Sequence, residues 1–401
     1  MRILIVNQVF YPDEVAVSQY LTDFAEDCTD AGHKINVIAG NRNYEKHRMV
    51  YPPADIYKGI TIRRIYNTGF SKSSKLGRLM NFISFNINLF FTLLFIKRRD
   101  YDFIFGSTVP PMIAVITSIC ANLKRIQFIL WVMDLQPDEA IAAGYLKQRS
   151  LISRIVVFLG LLPLRRAKSI IVLDKYMKER VIGKGIIPKI VHVCAIWPVQ
   201  EDWSTMASGG IEFRKAHGFG NKFIIMYSGN HSICHPFYTL LDVTDKLKND
   251  PRFLFVFIGG GVRSAEVSDK VGESGPTNIV QLPYQPRAML AESLCSADVH
   301  IVIMGNEFVG IVHPSKIYGT MACGRPTVFI GPDQCHVADF IRQSDSGFIV
   351  SHGDSKGLEE IFVRLANMPK AERDAMGKRG REYIYSNYSR NVGTKKIISL
   401  L

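Results

Sequence analysis

The sequence predicts an α/β protein of two doubly wound domains facing a cleft. Three observations lead there. Short apolar runs rich in Ile, Val and Phe recur along the whole chain, stretches of helical periodicity separate them, and several runs end in glycine or polar turns. The chain has 401 residues, 47% apolar and 21% charged, enough for two domains of ordinary size. This composition excludes a disordered chain, a collagen and a coiled coil.

The elements follow in order. Residues 2–7 form an apolar strand, too short for a signal peptide and closed by the turn around Pro12 and Asp13, so the reading is a cytoplasmic protein. Residues 16–31 fit a helix with Tyr20, Leu21, Phe24 and Ala25 on one face. Strands are predicted at 34–39, 60–65, 103–106, 127–132, 166–173 and 190–193, with a helix near 175–182. The second half repeats the style. A strand at 222–227 ends in Ser228-Gly229-Asn230, a helical stretch covers 235–248, and a strand at 253–258 ends in Gly259-Gly260-Gly261. Strands at 278–282, 299–303 and 326–330 continue it. A loop-like segment, 197–213, contains Ser208-Gly209-Gly210 and separates domains 1–200 and 201–380. No short repeat is present. In paired doubly wound domains, ligands bind outside the carboxyl ends of the strands.

The seven cysteines are scattered, odd in number and without a CxxC, which points to reduced, buried thiols rather than a disulfide framework or zinc site. Net charge is +13 and uneven: residues 1–200 hold 27 Lys+Arg against 15 Asp+Glu, the remainder 22 against 21. Between Asp55 and Asp100 stand nine basic residues (Lys58, Arg63, Arg64, Lys72, Lys75, Arg78, Lys97, Arg98 and Arg99) and no acid. Such asymmetry calls for a polyanionic partner. Within this stretch, residues 80–96 read as an apolar helix with Asn81, Ser84, Asn88 and Thr92 on one side. It is short of the ~20 residues that span a bilayer. An interfacial helix on anionic lipid fits it, contacting the membrane through Phe82, Phe85, Phe90, Lys97, Arg98 and Arg99. The competing reading is a helix buried against the sheet. The apolar stretch 155–164, followed by Arg165-Arg166, joins the same face.

The richest segment is His313-Pro314-Ser315-Lys316, leading through Gly319 to Ala322-Cys323-Gly324-Arg325-Pro326. Pro314 suits a first helical position, which puts Ser315 and Lys316 in the first turn. Lysine there opposes the helix dipole unless an anion is present, so phosphate binding is the favoured reading over a solvated lysine. The turns at Gly229-Asn230-His231 and Gly259-Gly260-Gly261 let backbone approach a diphosphate, or are merely tight strand-to-helix turns. Asn7, Asp13 and Ser18 cluster after the first strand. Asp134 follows the strand at 127–132, where a carboxylate serves as base or orients an acceptor hydroxyl; the bland alternative is a loop aspartate.

These residues resemble family 4 glycosyltransferases of the GT-B fold, over nearly the whole chain and most closely the bacterial branch that builds surface polysaccharides or glycolipids. The likeness rests on the opening strand with the 7–18 loop, Trp131 to Pro137, Tyr227-Ser228-Gly229-Asn230, Phe257 to Gly261, Ala297-Asp298, and above all Pro314-Ser315-Lys316 with Ala322 to Pro326. It implies two Rossmann-like domains, a nucleotide diphosphate sugar donor (UDP or GDP), retention, no required metal, and a C-terminal helix within 373–401 that crosses back to the first domain from about 381. Donor contacts are then assigned to Gly229, Asn230, His231, Gly260, Tyr284, His313, Ser315 and Lys316, catalysis to Asp134 and Glu307. One departure stands out. The family's paired glutamates fall on Ile311 and Gly319, and Glu307 is the nearest substitute.

The leading function is transfer of a sugar to a lipid-linked acceptor by a peripheral enzyme on the inner face of the plasma membrane. A sugar-nucleotide epimerase shares the architecture but gives no reason for a basic apolar face. A nucleic-acid binder fits the pI near 9.3, yet no nucleic-acid motif is present. A catalytically degenerate partner subunit is the reading the missing glutamates keep open.

Overall fold

The computed structural model of the chain describes residues 1–44, 48–70, 74–199, 203, 206–274 and 278–401. Two compact units emerge. The first comprises Met1–Ile196, Gly310–His313 and Arg390–Leu401; the second comprises Trp197–Val309 and Pro314–Ser389.

The first unit is built on β1 (Arg2–Val6), β2 (Lys34–Gly40), β3 (Ala54–Tyr57), β4 (Ile60–Ile65), β5 (Phe103–Ser107), β6 (Gln127–Trp131), β7 (Ser169–Val172) and β8 (Val191–Val193). Their spatial order is β3-β4-β2-β1-β5-β6-β7-β8, and all neighbours pair in parallel except β3 with β4. Its helices are α1 (Ala16–Asp30), α2 (Lys75–Leu94), α3 (Ile113–Lys124), α4 (Asp138–Ala142), α5 (Leu151–Arg166) and α6 (Lys175–Gly183). Parallel strands covered on both faces read as continuous apolar runs, and β1 obeys this: Ile3, Leu4, Ile5 and Val6 are all buried. Phe24 of α1 packs on Phe105 and Trp131 at centroid distances of 4.7 and 6.0 Å, closing the core behind β5 and β6.

In the second unit β9 (Phe223–Ser228), β10 (Phe253–Ile258), β11 (Ile279–Leu282), β12 (Val299–Ile303), β13 (Thr327–Ile330) and β14 (Gly347–Val350) form an all-parallel sheet of order β11-β10-β9-β12-β13-β14. Its helices are α7 (Met206–Ala216), α8 (Tyr238–Lys246), α9 (Ser264–Ser274), α10 (Leu290–Cys295), α11 (Lys316–Ala322), α12 (His336–Ser344), α13 (Ser355–Asn367) and α14 (Lys370–Tyr388). A final helix, α15 (Arg390–Ile398), belongs to the first unit. Phe255, Phe257, Val299, Ile301 and Val328 fill the core with Leu358 and Phe362 of α13.

Several predicted elements change. The segment containing Ser208-Gly209-Gly210 is a loop only in its first part, because α7 begins at Met206. Gly210 lets α7 lie against α10: a Cβ there would stand 2.5 Å from the Cys295 carbonyl oxygen. The strand predicted at 166–173 starts at Ser169, because α5 continues through Arg166. The C-terminal helix is two helices. Ser389, extended at φ −66° and ψ 156°, separates them, and the chain enters the first unit only at Arg390. All seven cysteines are buried and unpaired with one another.

Helix α2 inverts one expectation. Ser74 Oγ caps it by accepting from the Gly77 N–H at 3.2 Å. Its polar stripe faces the protein: Asn81 bonds Phe70 and Thr68, Ser84 bonds Thr68, and Asn88 donates to the Tyr66 carbonyl. Phe85, Leu89 and Leu93 point to the core, so Phe85, fully buried, is no membrane contact. Beside the exposed Arg78, what α2 leaves outside is mostly apolar: Leu76, Leu79, Met80, Ile83, Ile87, Phe90 and Phe91 are exposed. Phe82 is half-buried, and Lys97, Arg98 and Arg99 are exposed beyond the helix end. Both α2 and α5 pack on α3, and α5 likewise exposes Leu151, Ile152, Ile155 and Phe158. Lys72 lies outside the described residues. No helix among them is long and apolar enough to cross a membrane.

Candidate active site

In the second unit, three loops and one helix start meet at the carboxyl ends of neighbouring strands. After β9 comes Gly229-Asn230-His231, after β10 Gly259-Gly260-Gly261, after β11 Tyr284, and after β12 the start of α11. Lys316, at the helix start, reaches the segment after β9. Its Nζ donates to the Asn230 carbonyl oxygen at 3.1 Å, stands 3.5 Å from His235 Nδ1, and lies 5.1 Å from the Tyr227 ring centroid. Glycine is required at 229. With φ +123° it admits the turn, and a Cβ would stand 2.7 Å from Lys316 Cε. Gly261, at φ +147°, gives the same clearance to Asn230 Oδ1, 2.5 Å from where its Cβ would be.

The electrostatics of this cluster are one-sided. Burial pushes the Lys316 ammonium down to about 7. His231 falls to about 4 and His235 well below its ordinary value, through burial first and the neighbouring Lys316 second. Lys316 touches a carbonyl, an imidazole and a ring, and no ion pair with a carboxylate is found for it among the described residues. His231 Nδ1 meets Ser264 Oγ at 3.1 Å, while its buried Nε2 has no partner. The Tyr284 hydroxyl donates to the Gly260 carbonyl oxygen at 3.0 Å. A half-buried cation surrounded by neutral groups and glycine backbone is built to receive an anion.

Helix α11 begins one or two residues later than predicted. Lys316 is its first residue and Ser315 its cap, with no side-chain capping bond, so Pro314 precedes the helix. His313 sits in the first unit, where its Nδ1 meets Asp174 Oδ2 at 2.7 Å; Asp174 also caps α6 by accepting from the Met177 N–H. Glu307 is exposed on a turn after β12, and no hydrogen bond ties it to the Lys316 cluster among the described residues. Ile311 is buried, and its carbonyl oxygen accepts from the Leu135 N–H at 2.9 Å. Gly319 on α11 faces Leu294 at contact distance.

In the first unit, Asp134 follows β6 as the sequence predicts. Its N–H lies 3.3 Å from Thr108 Oγ1, and its carboxyl is pushed up to about 7, by burial first and the nearby Glu139 second. Glu139 is itself raised by burial and accepts from the Gln136 amide. A carboxyl poised near neutrality is suited to exchange a proton. Beside it an apolar cavity of about 290 Å³ is lined by Met112, Val115, Leu135, Ala140, Val156 and Leu164. Asn7 is fully buried and spends its amide inside the chain, donating to Val9 O at 2.7 Å and accepting from Ser107 Oγ at 2.7 Å. Asp13 Oδ1 accepts from Asn43 Nδ2 and the Tyr44 N–H. Both fix loops rather than face an open site. Ser18, buried in α1, has no partner for its Oγ.

The sequence reading passes over a second, polar pocket in this unit, lined by Gln8, Arg42, Asn67, Thr68, Arg78 and Asn81 among others. Its signal was available, since Arg42 and Asn67 each follow a parallel strand by two residues.

Comparison with known proteins bears on both units. Residues 211–383 match the family model described as glycosyl transferases group 1. A putative colanic acid biosynthesis glycosyl transferase, WcaI of Escherichia coli K12, is 22% identical over 333 residues, covering 81% of this chain and 82% of that protein. A probable glycosyltransferase, WbjE of Pseudomonas aeruginosa, is 21% identical, with 78% and 77% covered. Anabaena Alr3699/HepE, solved in complex with UDP-glucose, superposes with a TM-score of 0.72 at 15% identity, covering 100% of this chain and 98% of that one. With two parallel-sheet units, a group 1 domain over most of the second and glycosyltransferase relatives along both, the chain is a glycosyltransferase of the GT-B fold.

Proposed function

We propose that this enzyme transfers a sugar, with retention, from a nucleoside diphosphate sugar to a lipid-linked acceptor at an anionic membrane surface. The observation that carries the donor reading is Lys316: a depressed, half-buried ammonium flanked by glycine loops after β9 and β10. As the donor's glycosidic bond breaks, negative charge grows on the diphosphate. Lys316 regains its proton affinity beside that charge and stabilises it most when it is fully developed, which is the condition for catalysis rather than mere binding. The solved relatives named with UDP and UDP-glucose support a donor of this class. Asp134, raised toward neutrality, orients or deprotonates the acceptor hydroxyl.

The exposed apolar faces of α2 and α5, with Lys97, Arg98 and Arg99 beyond one end, support the membrane. The apolar cavity beside Asp134 supports an acceptor with a hydrocarbon part.

The deciding experiment is thermal stabilisation by UDP, GDP and their sugars, in the wild type and in Lys316→Ala. A nucleotide at ~100 times its Kd adds ~2.7 kcal/mol of stability. Stabilisation that survives the substitution would overturn the donor reading. Sedimentation with anionic and neutral vesicles tests the membrane. Equal binding to both, or none, would return α2 to a structural role.

A further inference from the structure

We propose that the second unit carries a separate binding site for a small, soluble phosphate ester, at the amino ends of its strands. The cavity measures about 510 Å³, within the ~300–1,000 Å³ range of small-molecule sites. Gly220 and Asn221 precede β9, Asp298 precedes β12, and Arg325 and Pro326 precede β13. The glycine loops lie past the other ends of these strands, so a donor held there does not fill this cavity. Helix α11 runs between the two places, with Lys316 at its start and Arg325 just beyond its end.

Close helix packing builds the walls. Helix α7 closes on α10 at Gly210. Helix α14 closes on the turn before β13 at Gly377, where a Cβ would overlap the Gly324 carbonyl oxygen.

The lining holds more cations than carboxylates. Asp298 meets Arg214 at 2.6 Å and Arg373 at 3.7 Å. Asp374 meets Lys370 at 2.6 Å and Arg325 at 3.4 Å. Two carboxylates thus serve four cations. A fifth lining cation, Lys215, pairs with Glu212, which does not line the cavity. Two positive charges are left over in one concavity, and such a cavity concentrates anions. A phosphate ester carries close to two negative charges at neutral pH.

Arg325 is the group placed to grip it. Its Nη1 reaches Asp374 and its Nη2 donates to the Cys295 carbonyl oxygen at 3.0 Å. Each nitrogen keeps a second N–H with no acceptor among the described residues, and the side chain is 27% exposed. A guanidinium fork matches two phosphate oxygens at once. Ile211, Pro326 and Asn221 complete the lining with apolar surface and an amide, which an organic part uses and a bare phosphate ion does not.

The test is calorimetric titration with glucose 6-phosphate, glucuronate, glucose and inorganic phosphate. The wild type is expected to bind glucose 6-phosphate at least tenfold tighter than the other three. Arg325→Gln is expected to weaken it roughly tenfold, as loss of one charge-assisted pair predicts. Because Arg325 also ties down Cys295, a second variant combines Lys215→Gln and Lys370→Gln. Both lysines are exposed, so several-fold weakening is expected with the thermal midpoint unchanged. Lys316→Ala is expected to bind glucose 6-phosphate as the wild type does. Unchanged affinity in both cavity variants would overturn the site, and so would binding lost in Lys316→Ala, which would put the phosphate among the donor loops. Equal affinity for glucose would overturn the phosphate, and equal affinity for inorganic phosphate would overturn the ester. Monomeric dihexanoyl phosphatidic acid tests a lipid-borne phosphate, and tighter binding of it than of glucose 6-phosphate would overturn the soluble ligand. No binding of any phosphate probe at millimolar concentration would overturn the proposal whole, whatever UDP and GDP do at Lys316.

Discussion

Donor binding should draw a proton onto the enzyme at mildly alkaline pH, and Lys316 sets the amount. Its ammonium is pushed from 10.5 down to about 7 in the ligand-free protein. At pH 8 the free side chain is then only about one-tenth protonated. A diphosphate beside Nζ returns the missing countercharge and restores the ordinary lysine range, so the bound side chain is fully charged. The difference is an uptake of about nine-tenths of a proton per nucleotide. Other groups add little at this pH. His231, near 4, and His235, held well below its ordinary value by burial, are both neutral at pH 8. Tyr227 lies well above its usual value. The nucleotide's terminal phosphate, with a second pKa near 6, is already ionised. The assay is isothermal calorimetry of UDP or GDP at pH 8 in buffers of different ionisation enthalpy, where the slope of observed heat against that enthalpy is the proton count. The count should fall as pH drops from 8 toward 7, where free Lys316 is itself half charged, and should vanish at pH 8 in Lys316→Met. The same linkage makes ligand-free Lys316→Met more stable, by up to roughly 3 kcal/mol at pH 8. The wild type's penalty accumulates as pH falls from 10.5 toward 7. Buffer-independent heat in the wild type would refute the assignment of Lys316 to the diphosphate.

Three further outcomes follow from the geometry. Gly229→Ala places a methyl 2.7 Å from Lys316 Cε at a φ of +123°, and should weaken nucleotide binding at least tenfold, read by titration. Asp134→Asn should cut transfer by roughly 10²–10⁴ with donor affinity kept. Because the wild-type carboxyl is raised from 3.8 to about 7, it destabilises the fold as pH rises through that window, so the Asn variant should gain thermal stability at pH 8 and not at pH 4. Arg390→Ala strands Asp23, Glu26 and Asp27, which all meet the one guanidinium at 2.7–3.2 Å. Roughly 3 kcal/mol should be lost in urea unfolding, with Lys recovering part.

Continuous apolar runs made the central strands legible, since a strand buried on both faces has no polar alternation to confuse. The edge strands were less so. β3, Ala54–Tyr57, is only four residues long with Asp55 interrupting its apolar run, and half-buried β14 begins with a glycine that a helix cap would also use. Gly210 misled because glycine marks loops, whereas here it marks a close helix contact. Lys316 was visible through its place after Pro314 and before Gly324, yet its partners Asn230 and His235 lie more than 80 residues away and come together only through parallel pairing of β9 with β10 and β12. Phe85 misled for a helical reason: composition gives a helix its apolar character but not which face turns inward. The hydrogen bonds of Asn81, Ser84 and Asn88 to residues 66–70 decide that face.

The return of the chain at Arg390 has a consequence for how the molecule is made. The guanidinium that neutralises Asp23, Glu26 and Asp27 is encoded 363 or more residues after them. At ~5–20 residues per second of synthesis, α1 waits roughly 20–70 s on the ribosome with Lys58 to pair Glu26 but without the guanidinium that all three carboxylates share. The second unit has its full sequence before the first does, so the half that begins emerging first is the last to be completed. Loss of even the last dozen residues, by a premature stop or a nicking protease, would spare the second unit's own strands and helices and leave the first without its closing helix.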